Sequence, residues 1–294
     1  MRKDKLKSKF IGGLIGSALG DFLGAGGKGY TDDTVMMIGV AESLIESKGF
    51  DGEDMAKRFM ENYYKEPWRG YGPGPPQIFR MIKSGRKWNE RLDRKLYPGG
   101  SLGNGAAMRI APVGLFYCED SVKLREIAYQ SSMITHSHPL GMEGAALQAY
   151  AVAQAVKTEP EELDRYDFLK RLSDFVREKL YQEKLRKMEV LLKEAADELE
   201  VIEELGNWVE AYNSVPLAIY SFLANCGFRN TLNYALMVSE GGDRDTISAM
   251  AGAIAGACYG IEEIPKEWRD KLENREYIEK LAEKLYETKI RDEK

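Results

Sequence analysis

Glycine recurs every fourth residue at two places in this chain: Gly12, Gly16, Gly20 and Gly24 near the start, and Gly252, Gly256 and Gly260 near the end. Both runs lie in apolar, helix-periodic sequence, GLIGSALGDFLG and ISAMAGAIAGACYG, so each stripe falls on one face of a helix. Inside a helix a glycine costs about 1 kcal/mol relative to alanine. Repeating that cost along one face suggests that another backbone comes too close to leave room for a Cβ. The same spacing permits tight crossings in membrane helices, and the steric reason holds in water. The expectation is two buried helices packed closely against neighbours, with each other among the candidates. The alternative is a pair of Ala/Gly-rich core helices without mutual contact.

Neither run reads as a membrane segment. The basic start MRKDKLKSKF followed by an apolar stretch loosely mimics a signal peptide or anchor, but the stretch is short, glycine-rich and broken by Asp21. Ile247 to Ile261 is too short to span a bilayer. The formal net charge of -5 argues against a nucleic-acid binder, which needs dense Lys/Arg patches. The three cysteines, Cys118, Cys226 and Cys258, are widely spaced and form no CxxC pair, so a reducing cytoplasm is the expected setting.

Helical periodicity runs through nearly the whole chain, and no alternating segment bounded by hairpin turns stands out. The reading is all-α, a single domain over residues 1–294. Helices are expected at 5–24, 32–48, 52–65, 75–84, 104–117, 121–135, 138–156, 165–203, 209–225, 228–239, 245–259 and 275–290. Residues 157–205, rich in Glu and Lys and without Gly or Pro after Pro160, read as a charged helical excursion, either a solvated hairpin or one long helix.

Two acidic motifs carry the chemistry. Tyr30-Thr31-Asp32-Asp33-Thr34 follows a glycine-rich stretch and opens a helix. Gly241-Gly242-Asp243-Arg244-Asp245-Thr246 opens the second glycine-striped helix. Helix capping accounts for one carboxylate in each, at about 1 kcal/mol per cap. It does not readily account for two carboxylates beside glycines at both places. Clustered carboxylates need protonation or a cation, and oxygen donors suit Mg2+, Mn2+ or Ca2+. With only His136 and His138, zinc is a poor candidate. From these residues alone, separate caps and a shared metal site both remain open.

These motifs, in this order, resemble the ADP-ribosylglycohydrolase family. The resemblance covers most of the chain: the helix Gly13 to Gly24, Thr31-Asp32-Asp33-Thr34, the loop Ser101-Leu102-Gly103-Asn104-Gly105-Ala106-Ala107-Met108-Arg109, Thr135-His136-Ser137-His138-Pro139, Gly206 to Leu217, and Gly242-Asp243-Arg244-Asp245-Thr246. It implies an orthogonal all-α bundle with a central metal-binding cleft, holding two Mg2+ ions (Mn2+ as a substitute) through Thr31, Asp32, Asp33, Asp243, Asp245 and Thr246. It further implies hydrolysis of a glycosidic bond at the ribose of an ADP-ribosylated protein or a related small metabolite.

The loop around Gly100, Ser101, Gly103, Asn104 and Gly105, with His136, is the candidate substrate contact, because glycines let backbone amides approach phosphate oxygens. A tight turn is the plainer reading of the same loop, and a structural role the plainer reading of His136. Asp21 reads as a hydrogen-bonded structural carboxylate. Trp68 and Tyr71 read as packing aromatics, with adenine stacking as the alternative.

One departure stands out. Members of the family carry a Glu between the first helix and the Thr-Asp-Asp motif, whereas no acidic residue lies between Asp21 and Asp32 here. Asp33 or Asp245 is then the candidate carboxylate for steering water. A catalytically degenerate protein that only binds ADP-ribose or a related nucleotide is the alternative.

Overall fold

The computed structural model describes residues 3–292 and is built from helices. In chain order these are α1 (Lys3–Gly24), α2 (Asp32–Glu46), α3 (Gly52–Lys65), α4 (Gly74–Lys83), α5 (Ala111–Phe116), α6 (Ser121–Met133), α7 (Pro139–Lys157) and α8 (Arg165–Phe175). They continue with α9 (Lys179–Glu194), α10 (Glu198–Leu205), α11 (Ala211–Leu223), α12 (Phe228–Val238), α13 (Arg244–Tyr259), α14 (Lys266–Arg269) and α15 (Arg275–Asp292). Among the described residues there is no strand, only one isolated bridge between Gly103 and Glu210. None of these helices is long and apolar enough to cross a membrane.

The two glycine stripes face each other. A Cβ built on Gly16 would lie 2.2 Å from the carbonyl oxygen of Gly252, and one built on Gly252 would lie 2.2 Å from that of Gly16. Gly256 meets the Gly12 carbonyl oxygen at 1.9 Å and Gly20 meets that of Ser248 at 2.0 Å. No side chain fits at such distances, so α1 and α13 pack antiparallel, backbone on backbone. The pairing runs on to Gly24, whose Cβ would fall 2.5 Å from the Asp245 Cα. The end of α1 is thereby pressed against the second acidic motif. Helices α2, α5, α7, α11, α12 and α15 surround this pair. Their apolar faces, including Leu14, Met37, Leu115, Leu147, Phe222 and Leu285, form a continuous core.

Two segments differ from their sequence-based expectation. The helix expected at 104–117 is a single 3-10 turn, Asn104–Ala106, followed by α5. Pro112 lacks an N–H and its ring crowds the preceding turn, so helix can only restart around it. The stretch expected as one helix at 165–203 is three helices, α8 to α10. It breaks at Ala195, which adopts a left-handed φ of 50°, and restarts at Asp197, whose carboxylate caps α10 through the Glu200 amide. The breaks let Phe168, Leu172, Leu185, Met188, Leu192, Val201 and Leu205 join the core from three directions, while Lys and Glu side chains cover the outside.

The interhelical contact makes a sharp contrast between neighbouring glycines. Gly16→Ala places a methyl group inside a backbone carbonyl and should destabilise by roughly 2–4 kcal/mol in denaturant unfolding. Gly13→Ala meets the flexible Leu115 side chain at 3.2 Å and the Ala257 methyl group at an ordinary 3.5 Å, and no backbone atom. It also gains helix propensity, so it should change stability by no more than about 1 kcal/mol.

Candidate active site

The amino terminus of α2 is held from behind by Asp21, a fully buried residue of α1. Its carboxylate accepts from the Thr31 amide at 3.0 and 2.9 Å, the Thr34 amide at 3.1 Å and the Thr34 hydroxyl at 2.5 Å. From the other side the Arg69 carbonyl accepts from the Asp32 amide at 2.7 Å. Thr31 is the N-cap, its hydroxyl accepting from the Asp33 amide at 3.3 Å. Capping is therefore done by the threonine, whose hydroxyl also donates to Asp33 Oδ1 at 3.4 Å, and neither the Asp32 nor the Asp33 carboxylate caps α2.

The second motif is built in parallel fashion. Gly241, with φ 78°, turns the chain, and Gly242 comes so close to Asn207 that a Cβ would lie 2.2 Å from its carbonyl oxygen. That carbonyl accepts from the Asp243 amide at 2.8 Å. Asp243 occupies the N-cap of α13 but makes no capping hydrogen bond through its side chain. Its carboxylate instead accepts from Asn104 Nδ2 at 2.5 Å, and the same amide group donates to the Ser214 hydroxyl at 3.1 Å.

The motifs meet in one cavity of about 310 Å3, lined by Asp32, Asp33, Asp243, Asp245 and Thr246 together with Ser101, Gly103, Asn104, Gly105 and His136. Gly70, Gly72, Pro73, Gly74, Pro75, Tyr97 and Val209 form one wall, and Met36, Met108, Arg109 and Thr135 also reach the cavity. Thr31 stays behind this lining as a cap. Gly100 also lies outside it: with φ 100° it packs on the 137–138 backbone, where a Cβ would lie 2.6 Å from the His138 amide nitrogen. Tyr71 packs edge-on against Tyr63 and Phe79. Trp68 is 72% exposed on the loop that delivers the Arg69 carbonyl. Met36, on α2 and without a sequence signal of its own, lines the cavity because it sits one turn beyond Asp32 and Asp33.

Four carboxylates in one half-buried space repel one another. Burial, then the neighbouring Asp21 and Asp245, pushes Asp32 up to about 7. Asp33 is raised further in the same direction, by burial and then by Asp21, Asp245, Asp32 and Asp243. Asp243 is pushed up to about 6 by burial, partly offset by its hydrogen bond from Asn104. One oxygen of Asp33, Oδ2, is buried without any hydrogen-bond partner. A counter-charge felt by Asp32 is Arg109, fully buried, stacked over the Phe59 ring at 4.5 Å, and donating to the Gly105 and Ser131 carbonyls at 3.1 and 3.0 Å. Burial lowers it to about 9, and it remains a cation.

The family model described as ADP-ribosylglycohydrolase matches residues 2–294. The chain belongs to the ADP-ribosylglycohydrolase family. Among curated relatives of this glycohydrolase, it is 38% identical to ADP-ribosylhydrolase ARH3 of Bos taurus over 288 residues, covering 87% of this chain and 78% of that protein. The human ARH3 is 37% identical over 287 residues, with the same coverage of both chains. ADP-ribosylarginine hydrolase Tri1 of Serratia proteamaculans is 26% identical over 315 residues, covering 96% of this chain and 79% of its own. A solved structure titled as an ADP-ribosylglycohydrolase-related protein complex superposes with a TM-score of 0.76 at 25% identity, covering 97% of this chain and 99% of that one.

In this family member the segment between α1 and α2 is short and tied down. The Tyr30 amide donates to Glu273 Oε1 at 2.9 Å, its hydroxyl accepts from Asn274 Nδ2 at 2.7 Å, and its carbonyl accepts from Arg69 Nη1 at 3.0 Å. Among the described residues no glutamate lines the cavity, whose acidic residues are all aspartates.

The raised carboxylates give a signed expectation. Groups whose folded values lie above the unfolded value of about 3.9 stabilise the fold when protonated, and that contribution is lost as pH rises through the folded values. These are about 6 to about 7 for Asp21, Asp243 and Asp32. In buffer free of divalent cations the thermal midpoint should fall between about pH 5 and about pH 8, and fall less in Asp33→Asn. Scanning calorimetry of the two proteins checks this, and a midpoint that rises over the same range contradicts it.

Proposed function

We propose that this cleft hydrolyses a glycosidic bond at the ribose of an ADP-ribosylated protein or a related ADP-ribose-containing metabolite. The observation that carries the reading is the meeting of Asp32, Asp33, Asp243 and Asp245 in one cavity with the Gly103–Gly105 loop. The names of the relatives support the same substrate class.

The residues fit a divalent cation. Asp33 Oδ2 is buried and unsatisfied among the described residues, Asp32, Asp33 and Asp243 are pushed toward protonation, and every candidate donor is a hard oxygen. Among the described residues no three His, Cys, Asp or Glu side chains already close into a metal cage. Asp32, Asp33, Asp243 and Asp245, with Thr246, would hold Mg2+, two ions by the family resemblance, while Thr31, behind the lining, seats Asp33. Bound there, the metal supplies neutralising charge and Lewis acidity.

The chain's own groups do the rest. The glycines of the 103–105 loop admit a diphosphate close to backbone, and Asn104 keeps the Asp243 carboxylate pointed into the cavity. Water adds to the anomeric carbon as the bond to the leaving nitrogen or oxygen breaks, the leaving atom taking the bonding pair. Asp245 or Asp33 accepts the proton from that water. Both lie in the cavity, Asp245 half-buried and Asp33 nearly fully buried. The absence of a glutamate from the cavity wall supports a second reading, a binder that holds ADP-ribose without turnover.

Incubation with ADP-ribosyl-serine and ADP-ribosyl-arginine peptides separates the two. Turnover predicts release of ADP-ribose that EDTA abolishes, and a fall of at least ~100-fold in Asp245→Asn. Independently of activity, Mg2+ should raise the thermal midpoint of the wild-type chain and not that of a chain carrying both Asp33→Asn and Asp245→Asn. Release that survives EDTA would overturn the metal role. Tight ADP-ribose binding with no release from either peptide would favour the binder.

A further inference from the structure

We propose that Thr135, anchored by Arg109, is a positioning residue that fixes the tautomer of His136, so that the imidazole offers a permanent Nε2–H to the glycine-loop side of the cleft. Arg109 Nη1 donates to Thr135 Oγ1 at 2.8 Å, and His136 Nδ1 lies 2.8 Å from the same oxygen. A guanidinium can only donate, so one lone pair of the hydroxyl is taken. The hydroxyl has a single hydrogen, and among the described residues it has no other acceptor. That hydrogen goes to Nδ1, and the one proton of the neutral ring must sit on Nε2. The electrostatics agree, since this arrangement turns the Nδ1 lone pair, and not an N–H, toward the buried cation. A second proton is disfavoured by burial and by the charge of Arg109, which together hold His136 down to about 3.

The far side of the ring faces the loop. A Cβ on Gly105 would lie 2.8 Å from Nε2, and one on Gly103 3.5 Å from it. Glycine at both positions is what lets the ring approach. Among the described residues no hydrogen bond uses Nε2, and His136 lines the cavity. A ring protonated on Nε2 and occupied on Nδ1 has no free lone pair to act as a base there. It is a neutral donor for an acceptor oxygen, a phosphate oxygen or a ribose hydroxyl. The ligand half of this inference rests on the proposed function, while the tautomer does not.

Long-range 1H–15N correlation on the 15N-labelled full-length protein reads the tautomer directly. The chain has two histidines, and His138→Gln assigns the signals. The expected spectrum of His136 has a pyridine-type Nδ1 and a pyrrole-type Nε2. Thr135→Val should move both nitrogens toward averaged positions and weaken ADP-ribose, measured by calorimetry, by about 5- to 10-fold, the loss of one neutral hydrogen bond. Thr135→Ser should restore both. A wild-type His136 protonated on Nδ1, or an unchanged tautomer in Thr135→Val, overturns the proposal. If Thr135→Val does not fold, the wild-type spectrum decides. A wild-type protein with the expected tautomer but no ADP-ribose binding counts against the proposed function and leaves the relay standing.

Discussion

The contact between the α1 and α13 backbones sets how far apart the two acidic motifs lie. Glycine at four successive turns of α1 lets the helices touch carbonyl against Cα, and the end of that contact is Gly24 against Asp245. One turn earlier, Asp21 reaches out of the same helix to grip Thr31 and Thr34. A single helical turn thus touches both motifs, the first through hydrogen bonds and the second through van der Waals contact. Widening the helix pair by the thickness of a methyl group would move the Asp243–Asp245 segment relative to Asp32 and Asp33. The stripe therefore acts on the site as well as on the core.

This arrangement explains which parts of the fold were legible in the sequence. A four-residue glycine period is a direct record of close approach, because nothing else rewards its repeated cost. It left open which partner each stripe meets, since the period describes one face and says nothing of what lies opposite. The breaks inside 165–203 were hidden for a different reason. Leu, Met, Lys and Glu suit helix equally well on either side of Ala195, and a left-handed alanine is dictated by core residues that the local pattern does not show. Pro112 was readable and marks where helix restarts, a local rule that apolar periodicity had obscured.

At the site, capping and metal binding could not be separated by sequence because both place acids at helix starts. The hydrogen bonds show which residues do the capping. Thr31 does the capping of α2, and Asp243 sits in the cap position of α13 without using it. Carboxylates left free of a capping role, in a space they share, are hard to explain as stabilising features. Asp32, Asp33 and Asp243 are destabilised there as anions by burial and by their neighbours. Folded proteins tolerate such strain where binding relieves it.

The buried cation of Arg109 shows how that strain is bounded. It lies near enough to Asp32 to favour its charge, yet among the described residues it forms no ion pair, its donors going to Gly105, Ser131 and Thr135. A direct salt bridge would have neutralised one carboxylate and removed it from service. Held back, the guanidinium lowers the cost of an acidic cavity while leaving every cavity carboxylate available. The same donors fix the loop backbone and, through Thr135, the ring beside it. Charge balance and ligand geometry are in this way set by one side chain that does not enter the acidic cluster.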